Sequence, residues 1–388
     1  MRTEERVTPL ELFFDLVFVL AITQCTTMMA AESTWEGLVK GLLVLGVLWW
    51  SWVGYAWLTS TVDPEEGGVR LAMFAAMAAL LVVSLCVPRA FGDLGLLFAC
   101  AYAVVRAAHI ALFRVASRED PGLRHSVSGL AVSTAVGVSL LAAASFADGA
   151  LRLGLWALAL TLDMGGPLVI DTAGWRLAPA HFAERHGLIV IIALGESIVA
   201  IGLGATAAVD AGVVVAAVLG VAIAGALWWL YFDVVALVAG RRLSNASEGR
   251  ERNEIARDSF SYLHLPMIAG IVLLALGLKK TLGHVENPLK LVPAVALLAG
   301  TAIYLLAHVV FRWRNVHRFS TQRLVCAIVL LSLVPVAAEL PALATLAILT
   351  ATLSVLIAYE TVQFADLRDR LRHQLSSDAA SSSRSASR

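Results

Sequence analysis

Apolar runs about as long as a bilayer is thick recur through nearly the whole chain, and nothing else in the sequence limits its fold so strongly. A hydrocarbon core of about 30 Å takes about 20 apolar residues in a helix to cross. Twelve such runs lie near residues 9–30, 39–60, 70–88, 95–116, 126–146, 152–174, 186–207, 211–239, 261–280, 289–311, 321–338 and 342–364. Gly165-Gly166-Pro167 interrupts the sixth, where a break in the helix is expected because proline removes a backbone donor. The eleventh is short and ends near Pro335. Composition agrees, since 59% of residues are hydrophobic and 15% charged, against about 25% charged in a soluble domain. The expected fold class is an all-α polytopic membrane protein with about twelve transmembrane helices.

The 29 basic residues balance 29 acidic ones, which excludes a nucleic-acid binder working through bulk positive charge. Glu11 and Asp15 interrupt the first apolar run and no small-residue cleavage site accompanies it, so it reads as a retained span rather than a signal peptide. Cys25, Cys86, Cys100 and Cys326 all lie in apolar runs without metal-site spacings and are expected to be buried, with no cofactor or metal to hold. Lys and Arg are retained on the cytoplasmic side of a membrane. With both termini inside, the cytoplasmic segments collect 22 of the 29 basic residues. The other face keeps Lys40, Arg89, Arg152, Lys279, Lys280 and Lys290, and Arg106 is left within the membrane. The chain therefore reads as a multi-pass protein of the cell membrane with both termini cytoplasmic.

Three echoes recur in the same order. Glu11 to Ala21 resembles Glu184 to Ala193 with one gap, Leu48-Trp49-Trp50 matches Leu227-Trp228-Trp229, and Ala108-His109 with Arg114 matches Ala307-His308 with Arg312. They divide the chain into a first six-span repeat at 1–176, a second at 177–366 and a disordered cytoplasmic tail at 367–388. Because the unit holds an even number of spans, the two repeats are expected to be parallel, related by an axis along the membrane normal.

Ionisable groups in hydrocarbon are costly and rare, so each is a candidate site. Glu196, in Ala193-Leu-Gly-Glu-Ser197, lies about ten residues into its span, near the midplane at about 1.5 Å per residue. It is a candidate carrier of a proton or small cation, or else a hydrogen-bonded carboxyl that locks two helices. His181, Glu184, Arg185 and His186 form a polar cluster at the cytoplasmic mouth. His181, Arg185, Ile192 and Glu196 share roughly one helical face. The spacing of His181 and Glu184 would let both touch one metal, but a polar cap on the helix entrance is the commoner arrangement and no metal is assigned.

Glu11 and Asp15 are one turn apart, and either flank a bound cation or pair with an arginine such as Arg185 or Arg106. Arg106, three residues before His109, needs a carboxylate at its own depth, and Asp163 and Glu196 are nearest. His264 and His308 are single imidazoles in apolar settings, each a ligand or a group satisfied by one partner. The pairs Trp49-Trp50 and Trp228-Trp229, with Trp52 and Tyr231, lie too deep for an interfacial belt and are expected in the core. No phosphate-binding loop, dinucleotide fingerprint or nucleophile elbow occurs in a suitable context.

Pro9-Leu-Glu-Leu-Phe-Phe-Asp-Leu-Val-Phe-Val-Leu-Ala-Ile-Thr-Gln24 resembles the opening signature of the bacterial low temperature requirement A (LtrA) proteins. The resemblance continues through Trp49 to Tyr55, His181 to Ser197 and Tyr262 to Gly270, and so covers nearly the whole chain apart from its tail. It implies a polytopic membrane protein of a family named for a cold-growth phenotype rather than for a molecular activity. Phe14-Asp15 to Thr23 is also similar to the first helix of the potassium channels marked by a Phe-Ser-Asp signature. This chain departs from those channels, with Phe14 where they have serine and Arg185-His186-Gly187 where the second repeat needs an acidic residue.

Together these residues favour a transporter or permeation pathway for a small solute or ion, gated or coupled by Glu196 and Asp15. Its partners are the lipid bilayer and that solute or ion, and a homo-oligomer is compatible with the sequence. The competing classes are an intramembrane enzyme using His181, Glu184, His186, His264 and Glu196, and a non-catalytic envelope protein for growth in the cold.

Overall fold

The computed structural model describes residues 6–169, 174–205 and 209–365; the tail expected at 367–388 lies outside them. The described residues form helices and no strand. In chain order they are α1 (Pro9–Ala31), α2 (Trp35–Thr59), α3 (Gly67–Cys86), α4 (Gly95–Ala116), α5 (Pro121–Ala144), α6 (Gly149–Val169), α7 (Pro179–Gly204) and α8 (Ala211–Phe232). There follow α9 (Val235–Ser244), α10 (Arg250–Ile255), α11 (His264–Gly283), α12 (Leu291–Val316), α13 (Thr321–Ser332), α14 (Val334–Ala337) and α15 (Ala342–Gln363).

Start signals are written locally. Thr8, Thr34, Asp120 and Asp210 cap α1, α2, α5 and α8 by accepting the backbone N–H three residues on. Proline stands in the first turn of α1, α5 and α7, where its missing N–H costs nothing. Thr8 and Glu11 complete a capping box at the head of α1.

Ten of the described helical runs are long and apolar enough to cross a bilayer. The other two expected spans are helical as well: α6 carries Arg152, Asp163 and Pro167 within its apolar run, and the eleventh is α13, which breaks at Leu333 before the short α14. Leu16, Leu71, Val132, Val218, Ile328 and Val355 are exposed on the outer surface. In lipid such residues need no protein partner, which is why helices can be apolar on every face.

Four expectations are corrected. The eighth span ends at Phe232, and 235–244 is a separate helix rather than a continuation. α6 runs through Gly165-Gly166-Pro167 as far as Val169, the last residue described there, so Pro167 does not end the helix and its missing N–H forgoes only the one bond to the carbonyl four residues back. Cys25, Cys86 and Cys326 are buried but Cys100 is exposed. Trp49, Trp50 and Trp52 are in the core, whereas Trp228 and Trp229 are 44% and 40% exposed, facing outward at the end of α8.

The ninth span begins earlier than its apolar run. α10 leads through a π-helical segment, Ala256–Tyr262, into α11, and the whole forms one helical run. Among the ten long apolar runs, α2, this run and α12 are the most enclosed and α5 and α15 the least. α11 and α12 pack with their backbones close. A Cβ on Gly270 would lie 2.6 Å from the Gly300 carbonyl oxygen, and one on Gly300 would lie 2.7 Å from the Leu273 Cβ. Small residues at such a crossing let two transmembrane helices approach without lipid between them.

Candidate functional site

α1 and α7 meet along a seam that gathers many of the buried ionisable groups. At the end where α1 begins, Glu11 and Asp15 project from successive turns toward Arg185 of α7. Arg185 Nη1 donates to Glu11 Oε1 at 3.0 Å, and Nη2 donates to Asp15 Oδ1 at 2.6 Å. His181, one turn before Arg185, places Nε2 2.9 Å from the same Glu11 Oε1 and Nδ1 3.0 Å from the Ser60 hydroxyl.

α2 closes the cluster. Thr59 Oγ1 accepts from Arg185, Trp52 Nε1 donates to Asp15 at 2.9 Å, and the guanidinium sits 5.5 Å from the Trp52 ring centroid. Glu11, Asp15, His181 and Arg185 are all fully buried. Asp15 Oδ2 and Arg185 Nε have no hydrogen-bond partner.

Next to this cluster lies an aromatic and imidazole layer. His186 Nδ1 is 2.8 Å from the Phe182 carbonyl. A carbonyl only accepts, so the proton is on Nδ1 and Nε2 is a free acceptor. His264 is fixed the same way by the Ser259 carbonyl, and its Nε2 accepts from Tyr231 at 2.8 Å. The two imidazole rings meet edge to face at 5.1 Å. The π-helical segment supplies Ser259 and so sets the orientation of His264, which agrees with the tendency of such turns to mark functional positions.

Glu196 occupies the same seam, three turns beyond Arg185. It is 1% exposed, and its Oε2 accepts from Thr23 Oγ1 of α1 at 2.5 Å. Among the described residues no basic group forms an ion pair with it; the nearest, Lys279, donates to Thr27. Ser197 beside it is buried with an unpartnered hydroxyl.

Arg106 finds its carboxylate in the first half of the chain. Arg106 Nη2 donates to Asp163 Oδ1 at 3.0 Å and to Thr134 Oγ1 at 2.6 Å, and Thr134 in turn donates to Asp163 at 3.0 Å. Of the two carboxylates expected at this depth, Asp163 is the partner and Glu196 is not. His109 packs between Tyr55 and Phe113 with both ring nitrogens unpartnered. Arg106, His109 and Phe113 edge a small cavity of about 50 Å³ that is also walled by Trp50, Pro167, Trp175 and Arg257.

A sequence profile of the bacterial low temperature requirement A protein (LtrA) matches residues 6–358. The chain belongs to the LtrA family. It is 29% identical over 291 residues to a protein of Rhizobium meliloti (strain 1021) described as uncharacterized, covering 71% of this chain and 69% of that one. No solved structure matches the chain significantly.

In this LtrA protein His181 and Glu184, whose spacing would have allowed a shared metal, point apart. His181 turns inward to Glu11, while Glu184 is exposed and accepts from the Val7 backbone N–H. One helical turn carries residues three apart to neighbouring rather than identical directions, and only His181 faces α1. Among the described residues no group of three or more His, Cys, Asp or Glu is arranged to hold a metal ion.

Several participants had no sequence signal of their own. Thr23, Thr59 and Ser60 are ordinary hydroxyls until the helices pack. A further buried pair also escaped notice: Arg323 of α13 donates from Nε and Nη2 to the two oxygens of Glu360 of α15 at 2.8 and 2.7 Å. Glu360 inside the apolar run of the last span was the available clue.

Proposed function

We propose that this LtrA-family protein is a transport protein that passes a small ion along the α1–α7 seam, with Glu196 as its protonatable gate. The observation that carries the proposal is Glu196 itself: a fully buried carboxylate held by a hydroxyl, with no ion-pair partner among the described residues. Burying an isolated carboxylate costs several kcal/mol unless it is neutralised, so this site favours uptake of a proton or a small cation. Asp15, with one oxygen committed to Arg185 and the other unpartnered, is the second exchangeable position on the same seam.

In this reading both termini are cytoplasmic and the chain is two parallel six-span repeats. Support for the repeat comes from matching constellations. In each half a carboxylate of the sixth or twelfth span, Asp163 or Glu360, binds an arginine that also donates to a backbone carbonyl of the second or eighth span, at Trp50 or Leu230. His109 and His308 occupy the corresponding place beside each arginine, with the arginine coming from α4 in one half and from α13 in the other.

The test is flux in proteoliposomes carrying an entrapped pH-sensitive dye, with a membrane potential imposed and H⁺, Na⁺ and K⁺ supplied in turn. Wild-type protein should raise the flux of at least one cation above protein-free vesicles, and Glu196→Gln should remove its pH dependence. Folded wild-type protein that passes none of the three would overturn the reading.

A further inference from the structure

A cavity of about 280 Å³ opens between the ends of α8, α12 and α15 and the starts of α9 and α13. Its polar lining is dominated by donors. Arg312, Arg318 and Arg323 face two carboxylates, Glu360 and Asp233. Glu360 is already bound by Arg323 through two hydrogen bonds and by Gln322, and Asp233 has a partner of its own. Arg312, by contrast, forms no ion pair among the described residues and stacks on the Phe364 ring at 5.3 Å from its centroid, within the field of Glu360, and Arg318 is exposed.

Two buried polar atoms of lining residues have no hydrogen-bond partner among the described residues. His308, 1% exposed, lies with Nδ1 2.5 Å from Arg323 Nη1. A guanidinium can only donate, so Nδ1 accepts and the imidazole proton sits on Nε2, which has no acceptor. Ser320, also 1% exposed, has an unpartnered Oγ. It is the N-cap of the twelve-residue α13 yet makes no capping bond, so the first N–H groups of that helix, which lack intrahelical acceptors, lie at the same wall.

A site with two buried donors, two uncommitted arginines and a helix N-terminus is short of one thing, an anion. Its remaining walls are apolar: Trp229, Val234, Val235, Val238 and Phe311. The cavity lies where three spans end and one begins, the level at which phospholipid headgroups meet hydrocarbon. Basic pockets between transmembrane helices at this level suit anionic headgroups.

We propose that this cavity binds a phosphate-type anion carried on an apolar body, the headgroup phosphate of an anionic membrane lipid. The phosphate lies against Arg312, Arg318, His308 Nε2–H and the Ser320 hydroxyl, and an acyl chain follows the valines of α9 toward Trp229. Arg323 positions the site by holding His308 in the donor tautomer.

The experiment measures ligand binding to the full-length protein in mild neutral detergent by native mass spectrometry, with phosphatidic acid, phosphatidylcholine and inorganic phosphate as probes. Wild-type protein should retain phosphatidic acid, and Arg312→Ala/Arg318→Ala should weaken it about tenfold, the scale of a lost charge-assisted contact. Ser320→Ala should weaken it less, and phosphatidylcholine should not compete. Both arginines sit at the rim outside the buried pairs, so the unliganded double variant should unfold like wild type. If it does not, Arg318→Gln alone supplies the same comparison. Inorganic phosphate that binds as well as the lipid and displaces it would keep the anion site and overturn its lipid source. Phosphatidic acid held equally by wild type and variant, or phosphatidylcholine held equally by both, would overturn the site.

Discussion

Asp163→Asn should destabilise the protein more than Arg106→Met, although the two residues form a single pair. Arg106 is 1% and Asp163 4% exposed, and Thr134 bridges them. In Asp163→Asn the guanidinium stays buried, cannot lose its proton and keeps only neutral oxygens such as the Thr134 hydroxyl and the Trp50 carbonyl. Removing one partner of a buried pair in this way costs about 3–5 kcal/mol. Arg106→Met strands a carboxyl instead. A carboxyl can take up a proton and go on hydrogen-bonding Thr134 and Tyr102, so its cost is about 1–3 kcal/mol, the range for a poorly satisfied buried polar group.

The double variant removes both charges and should cost less than the sum of the singles, with a coupling of about 2 kcal/mol. Reversible denaturant titration in mixed micelles measures all three. Additive losses, or an Arg106→Met penalty larger than that of Asp163→Asn, would refute the reasoning.

Other outcomes follow from the same geometry. Glu196→Gln keeps an oxygen for the Thr23 hydroxyl, so its stability should stay within about 1 kcal/mol of wild type while pH-dependent transport is lost, and Glu196→Ala should lose both; a Gln variant with a wild-type pH profile would return Glu196 to a structural role. Gly300→Val should cost about 1–3 kcal/mol in the same titration, since its side chain would meet the Leu273 Cβ at 2.7 Å and push α12 from α11; wild-type stability would argue against the close crossing. Reporter fusions at positions 245 and 283, the two ends of the α10–α11 run, should register on opposite faces of the membrane; the same face for both would remove that span.

The repeating apolar runs by themselves decided that this is a helical membrane protein, because a bilayer admits few solutions and span length is written locally. The caps at Thr8, Thr34, Asp120 and Asp210 are equally local, each depending on residues three apart. The sequence also made the ionisable residues of the α1–α7 seam candidates, since charge is conspicuous in an apolar run, but it did not single out the Arg323–Glu360 pair. Which of them meet was another matter. Arg106 could choose between Asp163 and Glu196 by depth alone, and only the packing of α4, α5 and α6 gave it Asp163 and left Glu196 to Thr23 across the seam. Likewise, hydropathy is blind to direction around a helix. It could not tell that Trp52 points to Asp15 while Trp228 faces outward, or that His181 turns inward and Glu184 does not. Span identity depends on transfer into hydrocarbon, a property summed along one segment. Partner choice depends on the rotation and register of several segments together, and that information exists only once they are packed.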